Sequence, residues 1–380
     1  LIRQVVDNRN YFYLVCNWIC FMKILFVITG LGMGGAEHVV SNLADELVKA
    51  NHKVNIVYLT GEILVAPKNR EVELISLGMN SPKDFLKAYI KLRFIVKSYK
   101  PDIVHSHMFH ANMLSRLLRL STKLPILVTT AHNTNEGGHH RILAYRLTDS
   151  LTNISTNVSK ESVRKYIQKK AVKPGRMVTI PNGVDTDYFS FDELVREEKR
   201  VELNIGNKQL VLCVGSLTKQ KDYPNLFRAV ALLKNIRQDF KVFIVGDGPD
   251  CHSLKKLLES MGLEEYISFL GIRRDVKELM SAADIYAMSS AWEGLPMVIL
   301  EAMSCENFVI ATDCGGVSEV IGDNGLIVDI KNHTQLCTYL DKGLSMSYNQ
   351  RLKVGKADRQ SIIDDYSLNA NVKAYLNLYS

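Results

Sequence analysis

The chain reads as an α/β protein made of two Rossmann-like, doubly wound parallel-sheet domains that face each other across a cleft. Three observations predict this. Short apolar runs rich in β-branched residues alternate with helical segments over most of the chain, as buried parallel strands and their crossover helices do. A turn-rich run, Asn182–Phe189, followed by the charged stretch Asp192–Arg200, interrupts the alternation, which then begins again. The length of 380 residues, with 47% hydrophobic and 23% charged content, is long for one core and comfortable for two.

Residues 1–21 do not fit the pattern. Met22-Lys23-Ile24-Leu25-Phe26-Val27-Ile28 is a typical opening for a protein whose first element is a buried strand, so Met22 is expected as the natural start and residues 1–21 as a non-native or disordered extension. The other reading is a short aromatic membrane anchor, although its apolar run is too short to span and lacks a signal-peptide cleavage site.

Strands are expected at Lys23–Thr29, Val54–Leu59, Asp102–Ser106, Ile126–Thr130, Thr152–Thr156 and Met177–Ile180. Helices are expected from the first glycine turn to about Ala50, and over Pro82–Tyr99 and His110–Leu120. In the second half the strands are Leu210–Val214, Lys241–Val245, Ile267–Leu270, Ile285–Met288 and Phe308–Ala311, with helices at Tyr223–Lys234 and Ser253–Ser260. Ser367 can cap a final helix through Tyr379. The domains are therefore drawn as 22–190, 191–365 and a C-terminal helix, 366–380, packing back toward the first domain. Ligands belong at the carboxyl ends of the strands.

The net charge of +7 is too small and dispersed to argue for nucleic acid, and it suits anionic substrates or an anionic membrane face. The seven cysteines show no metal-ligand spacing, and several sit in expected core, which points to reduced thiols in a cytoplasm. No stretch has the length of a transmembrane helix.

The most informative stretch is Ala291–Met303, a loop running into a buried helix. Gly294 allows close approach of the backbone, and Pro296 suits the first helical position. The amides of Met297 and Val298 would then belong to a first turn that attracts phosphate. Glu293 precedes the helix and Glu301 lies inside it, roughly 7 Å of rise beyond Pro296. A carboxylate, a phosphate cradle and a second carboxylate in line fit a sugar, a diphosphate and a ribose.

Glu293-x7-Glu301, with Gly294, Leu295, Pro296 and Ala302 in place, resembles the signature of the retaining glycosyltransferases of family 4, which have the GT-B fold. The resemblance implies that Glu293 lies by the donor sugar, that Glu301 binds the ribose hydroxyls and that the helix start holds the diphosphate. It covers Met22 to nearly the C-terminus. Gly34-Gly35-Ala36-Glu37 is similar to a family turn facing the cleft near the phosphates and the acceptor. His132 matches a family histidine beside the donor sugar, and Lys221, in the turn that begins at Gly215, matches the lysine that pairs with the diphosphate. Many members carry Arg where this chain has Ser216, so one of two usual cations is absent. The segments at Gly246–Pro249 and Leu270–Val276 resemble those lining the base pocket, which makes Gly246 and Arg273 candidate neighbours of a uracil.

Other features keep two readings. Gly30, Gly32 and Gly35 match a dinucleotide-binding turn, but that fingerprint needs an acid at the end of the second strand, and Val54–Leu59 runs into Thr60-Gly61. His105 and His107 end a strand and are either site lining or satisfied structural histidines; no Asp, Glu or Cys completes a metal site with them. The polar loop Asn133–Gly138 suggests acceptor contact. The helix Lys83–Lys100 carries six cations between apolar residues, either as a solvated face or as a dock for an anionic bilayer.

The resemblance therefore implies a metal- and cofactor-independent transferase. It would move a hexose or N-acetylhexosamine from a UDP-linked donor to a polyprenyl-diphosphate-linked saccharide in bacterial O-antigen, capsule or exopolysaccharide assembly. It would work in the cytoplasm at the inner membrane face, with no nucleic-acid partner. A nucleotide-sugar epimerase of the same architecture, a NAD-dependent oxidoreductase and a non-catalytic subunit remain as alternatives.

Overall fold

The computed structural model describes residues 21–134 and 137–380. All but one position of the expected extension, Phe21 being the exception, lie outside the described residues, as do two positions of the Asn133–Gly138 loop. Seven strands form the first sheet: β1 Lys23–Ile28, β2 Lys53–Tyr58, β3 Glu73–Ser76, β4 Ile103–His107, β5 Ile126–Ala131, β6 Ile154–Asn157 and β7 Met177–Thr179. Their spatial order is β3-β2-β1-β4-β5-β6-β7. The second sheet has β8 Gln209–Val214, β9 Phe240–Val245, β10 Ile267–Gly271, β11 Ile285–Met288, β12 Phe308–Thr312 and β13 Leu326–Val328, in the order β10-β9-β8-β11-β12-β13.

Every paired strand is parallel, as continuous apolar runs buried on both faces require. Ile24 through Ile28 of β1 are all buried at the centre of the first sheet. In both sheets the strand order reverses beside the first strand, between β1 and β4 and between β8 and β11. The loops leaving those strands diverge there and open a crevice at the carboxyl edge. The two crevices face each other.

The chain crosses between the lobes twice, and the crossings lie side by side. The Val184 amide donates to the Tyr366 carbonyl and the Leu368 amide to the Val184 carbonyl, at 2.8 and 3.0 Å. Ser367 then caps the last helix, Leu368–Tyr379, its hydroxyl accepting from the Ala370 amide at 3.2 Å. That helix lays Val372, Tyr375, Leu376 and Tyr379 into the core of the first sheet, against Ile24, Phe26 and Leu43.

Several elements differ from expectation. The charged stretch after Phe189 is a helix, Glu193–Glu202, started by the Asp192 side chain accepting from the Val195 amide. Its charge has an internal destination: buried Arg196 donates to the carbonyls of Ser281, Ala282 and Ala283 and to Asp284, the last at 2.6 Å. An arginine meeting the exposed carbonyls at a helix end is favourable for both partners. Pro82–Asp84 forms a separate 3₁₀ turn ahead of the helix Phe85–Tyr99, its Asp84 carboxylate accepting from the Ser81 amide. The edge strands β3 and β13 and the helices His139–Thr148, Lys160–Gln168, His333–Ser345 and Tyr348–Tyr366 are additional to the expected elements. Pro296 is the cap of the helix Met297–Ser304, with φ −72° and ψ 116°, and Met297 is its first residue. The expected first-turn position for Pro296 is thus one residue too far into the helix; its ψ is extended, so the chain turns helical only at Met297.

Candidate functional site

The two crevices form one cleft of about 820 Å³, lined from both lobes. From the first sheet come Gly34, Gly35 and Glu37 after β1, Met108–His110 after β4, and His132 and Asn133 after β5. From the second come Gly215, Ser216, Gln220 and Lys221 after β8 and Glu293–Val298 after β11. Residues distant in sequence meet here because each follows a strand at or next to a point of order reversal.

The floor of the cleft is a contact between lobes. Asn133 bridges Gly294 in antiparallel fashion, Thr134 Oγ1 donates to the Glu293 carbonyl at 2.9 Å, and Asn182 Nδ2 donates to the Leu295 carbonyl at 3.3 Å. Gly294 is required by space: a Cβ there would stand 2.2 Å from the His132 carbonyl oxygen. Gly246 is required by space and conformation, with φ +133° and an added Cβ 2.1 Å from the Gly215 carbonyl oxygen. It lies beneath the Gly215 turn as its support and is not part of the cleft wall.

Glu293 is 6% exposed, and its carboxylate is fully engaged. Lys221 Nζ donates to Oε1 at 2.6 Å, Ser290 Oγ donates to the same oxygen at 2.8 Å, and Gln220 Nε2 donates to Oε2 at 2.8 Å. Lys221 has only 14% of its side chain exposed. A half-withdrawn cation next to a helix start with no side-chain cap is a combined anion site, since the first-turn amides have no partner within the helix. Glu301 sits one turn further along. Burial pushes its carboxyl up to about 7, so it ionises near neutrality.

Three histidines connect the cleft to the interior. His132 Nε2 lies 3.1 Å from His107 Nδ1, while His105 is hydrogen-bonded at 2.6 Å on both sides, to Tyr379 Oη and Thr130 Oγ1. Burial holds all three below the ordinary histidine range, His132 at about 4, so they are neutral. The open choice for His105 resolves to structure: it pins the last helix to the sheet.

The structure brings together Gly34, Gly35, His132, Gly215, Lys221, Glu293, Gly294, Leu295, Pro296, Met297 and Val298 on one wall-to-wall surface. It brings neither Glu301, which lies a turn deeper in the helix, nor Arg273 to the cleft lining. The Arg273 guanidinium is bound to Asp275, with Nε to Oδ1 at 2.7 Å, and to Glu202 at 3.1 Å. The i+2 carboxylate and the charged helix Glu193–Glu202 capture it. Sequence reasoning missed Arg141, which lines the cleft with its guanidinium 4.7 Å from the Phe109 ring centroid. It also missed Gln220 and Asn182, polar residues without a spacing signature. Glu37 faces the cleft nearly buried, its carboxyl raised by desolvation.

Comparison with known proteins agrees with this fold. The family described as Glycosyltransferase Family 4 matches residues 33–188, and the family described as Glycosyl transferases group 1 matches 195–361. An N-acetylgalactosaminyltransferase of Campylobacter jejuni, named for a diphospho-undecaprenol-linked acceptor, is 25% identical over 87% of this chain and 94% of its own. The amylovoran biosynthesis glycosyltransferase AmsD of Erwinia amylovora is 26% identical over 84% of this chain and 89% of its own. The crystal structure of Anabaena HepE in complex with UDP superposes with a TM-score of 0.82 at 19% identity, covering 94% of this chain and 99% of that one. The chain belongs to the family 4 glycosyltransferases, has the GT-B fold, and has bacterial polysaccharide enzymes among its relatives.

Proposed function

We propose that the cleft binds a UDP-sugar and transfers its hexose or N-acetylhexosamine, with retention, to a polyprenyl-diphosphate-linked saccharide. The observation that carries this reading is the convergence of the uncapped helix start Met297–Val298, the Lys221–Glu293 pair and both glycine turns on one cleft. The helix start and Lys221 stabilise charge on the leaving diphosphate as the glycosidic bond breaks. Glu293 orients the sugar, with Gln220 and Ser290 holding its carboxylate in place, and Glu301 takes the ribose hydroxyls. His132 packs beside the sugar. HepE, which was solved with UDP, and the undecaprenol-linked acceptor in the name of the Campylobacter relative lend support to donor and acceptor classes.

We place the enzyme in the cytoplasm, at the inner membrane face. The helix Phe85–Tyr99 supports this: Leu86, Ile90 and Phe94 are 67%, 60% and 73% exposed in one stripe, between Lys87, Lys91 and Lys97. No helix among the described residues is long and apolar enough to cross a membrane, so an attachment of this kind would be peripheral. Flotation with anionic liposomes should be lost when Lys87, Lys91 and Lys97 are changed to Glu; unchanged flotation removes this part of the reading.

Thermal unfolding with UDP, GDP, ADP and NAD added separately tests the donor. Ligand at about 100 times its dissociation constant stabilises by roughly 2.7 kcal/mol, a shift of several degrees. UDP should give the shift and lose it in Glu301→Ala. A shift with NAD alone would overturn the donor assignment.

A further inference from the structure

Glu319 is the third residue of the helix Val317–Ile321, a position from which glutamate ordinarily reaches back to cap its own helix start. The Gly316 amide it would cap is already taken, donating to the Gly294 carbonyl at 2.6 Å. The carboxylate points across the lobes instead. Oε2 accepts from the Lys160 amide at 2.9 Å and Oε1 from the Glu161 amide at 2.8 Å, the first two amides of the helix Lys160–Gln168. Ser159, the cap of that helix, accepts from the Ser162 amide and leaves these two to Glu319.

The backbone of Glu319 is tied to the loop that carries Glu293. Gly315 packs so closely on that loop that an added Cβ would stand 2.5 Å from the Glu293 carbonyl oxygen and 2.4 Å from that of Gly294. The Glu319 carbonyl accepts from Tyr366 Oη, at the crossing between the lobes, at 3.3 Å. Loop, crossing and carboxylate therefore move together. Thr134 Oγ1 and Asn182 Nδ2, which also bond across the lobes, are neutral donors to carbonyls. The bonds of Glu319 are charge-assisted, roughly twice as strong as neutral ones, and favoured by the helix dipole. Lys160 is exposed and Glu161 half-buried, so water can take over both amides when the carboxylate withdraws. Release leaves no buried donor unpaired.

We propose that Glu319 is a positioning residue that latches the first lobe onto the Glu293 loop and sets the balance between a closed and an open cleft. In the closed arrangement Gly35 faces Met297, where an added Cβ would lie 3.6 Å from the Met297 Cγ. A ligand at the helix start therefore meets both walls only while the latch is made. Loss of the latch lowers the closed fraction, and apparent ligand affinity falls by the same factor.

The effect on UDP rests on the donor-site reading; the lobe balance does not, and the experiment separates them. Small-angle X-ray scattering of the full-length Glu319→Ala protein should show a larger radius of gyration than wild type without ligand, and wild-type size at saturating UDP. UDP binding should weaken by about three- to tenfold. Lys160→Pro attacks the same bonds from the other lobe. Proline suits a first helical position, and Ser159 before it is already extended, with φ −145° and ψ 153°. Lys160→Pro should open the free protein in the same direction and add nothing to Glu319→Ala in the double variant. A residue that only stabilised its own lobe would lower Tm and leave size and affinity alone. Wild-type size of the free protein in both variants overturns the proposal, as does opening with unchanged UDP affinity. If Glu319→Ala does not fold, Lys160→Pro decides. Failure of UDP to bind wild type would instead sink the donor reading, and the sizes of the free proteins would still decide on the latch.

Discussion

Glu293 and Glu301 share a motif but have different electrostatic surroundings. Glu293 is tied by a lysine, a serine and a glutamine, so its orientation is set before a ligand arrives. Glu293→Gln should lower transfer by roughly 100-fold while UDP still protects against unfolding; unchanged kcat would remove Glu293 from the chemistry. Glu301 is poised between its two protonation states. With its carboxyl held up at about 7, it is neutral at pH 6 and an acceptor for ribose hydroxyls at pH 8. UDP affinity should therefore rise through neutral pH, and the part of that rise due to Glu301 should be absent in Glu301→Gln, which leaves the phosphate's own titration as the baseline. The same burial makes the free protein less stable as pH climbs from the ordinary 4.5 toward 7, since the unfolded chain ionises first. A calorimetric pH series on both proteins measures both effects.

The loops at the carboxyl ends of the strands act as elements because backbone packs on backbone across the lobes. Gly294 is wedged against the His132 carbonyl, and its own carbonyl accepts from the Gly316 amide at 2.6 Å. Gly294→Ala must push the two lobes apart or tilt the loop. We expect it to destabilise by about 1–3 kcal/mol and to weaken UDP binding, because the loop carries Glu293 and leads into the helix start. A protein with wild-type Tm and wild-type UDP affinity would show that the floor of the cleft is softer than its geometry indicates. A second clasp lies beside it: the Glu319 carboxylate accepts from the amides of Lys160 and Glu161 at 2.9 and 2.8 Å, one lobe's acid on the other lobe's helix start.

At the scale of the molecule, the last helix belongs to the first lobe although it follows the second in sequence. Val372, Tyr375, Leu376 and Tyr379 cover the core around β1, and Tyr379 bonds to His105. Burying four such side chains contributes at most about 6–12 kcal/mol, the size of a whole domain's stability. Truncation after Ser367 should therefore leave a first lobe that unfolds early or aggregates. A truncated chain with the wild-type unfolding transition, read by scanning calorimetry, would contradict this.

Periodicity determined the strands other than β3 and β13, while their order in the sheets came from the tertiary structure. A run such as Ile24–Ile28 or Ile285–Met288 is apolar at every position, and a strand buried on both faces suits it. The stretch around Gly294 and Pro296 stood out for a related reason, since close backbone approach and a helix start demand particular residues at particular offsets, while Glu293, Lys221 and Glu301 were singled out by the family resemblance. Long-range partners carry no such spacing. Arg273 read as a site residue, but Asp275 and Glu202 claim it; the charges of Asp192–Arg200 gave no sign that Arg196 finds helix-end carbonyls some 85 residues away. Arg141 came to the cleft unannounced, and so did the contact of His132 with His107. A charge or an imidazole is satisfied by whatever group folding places within about 3 Å of it, and that neighbour is chosen by the tertiary structure.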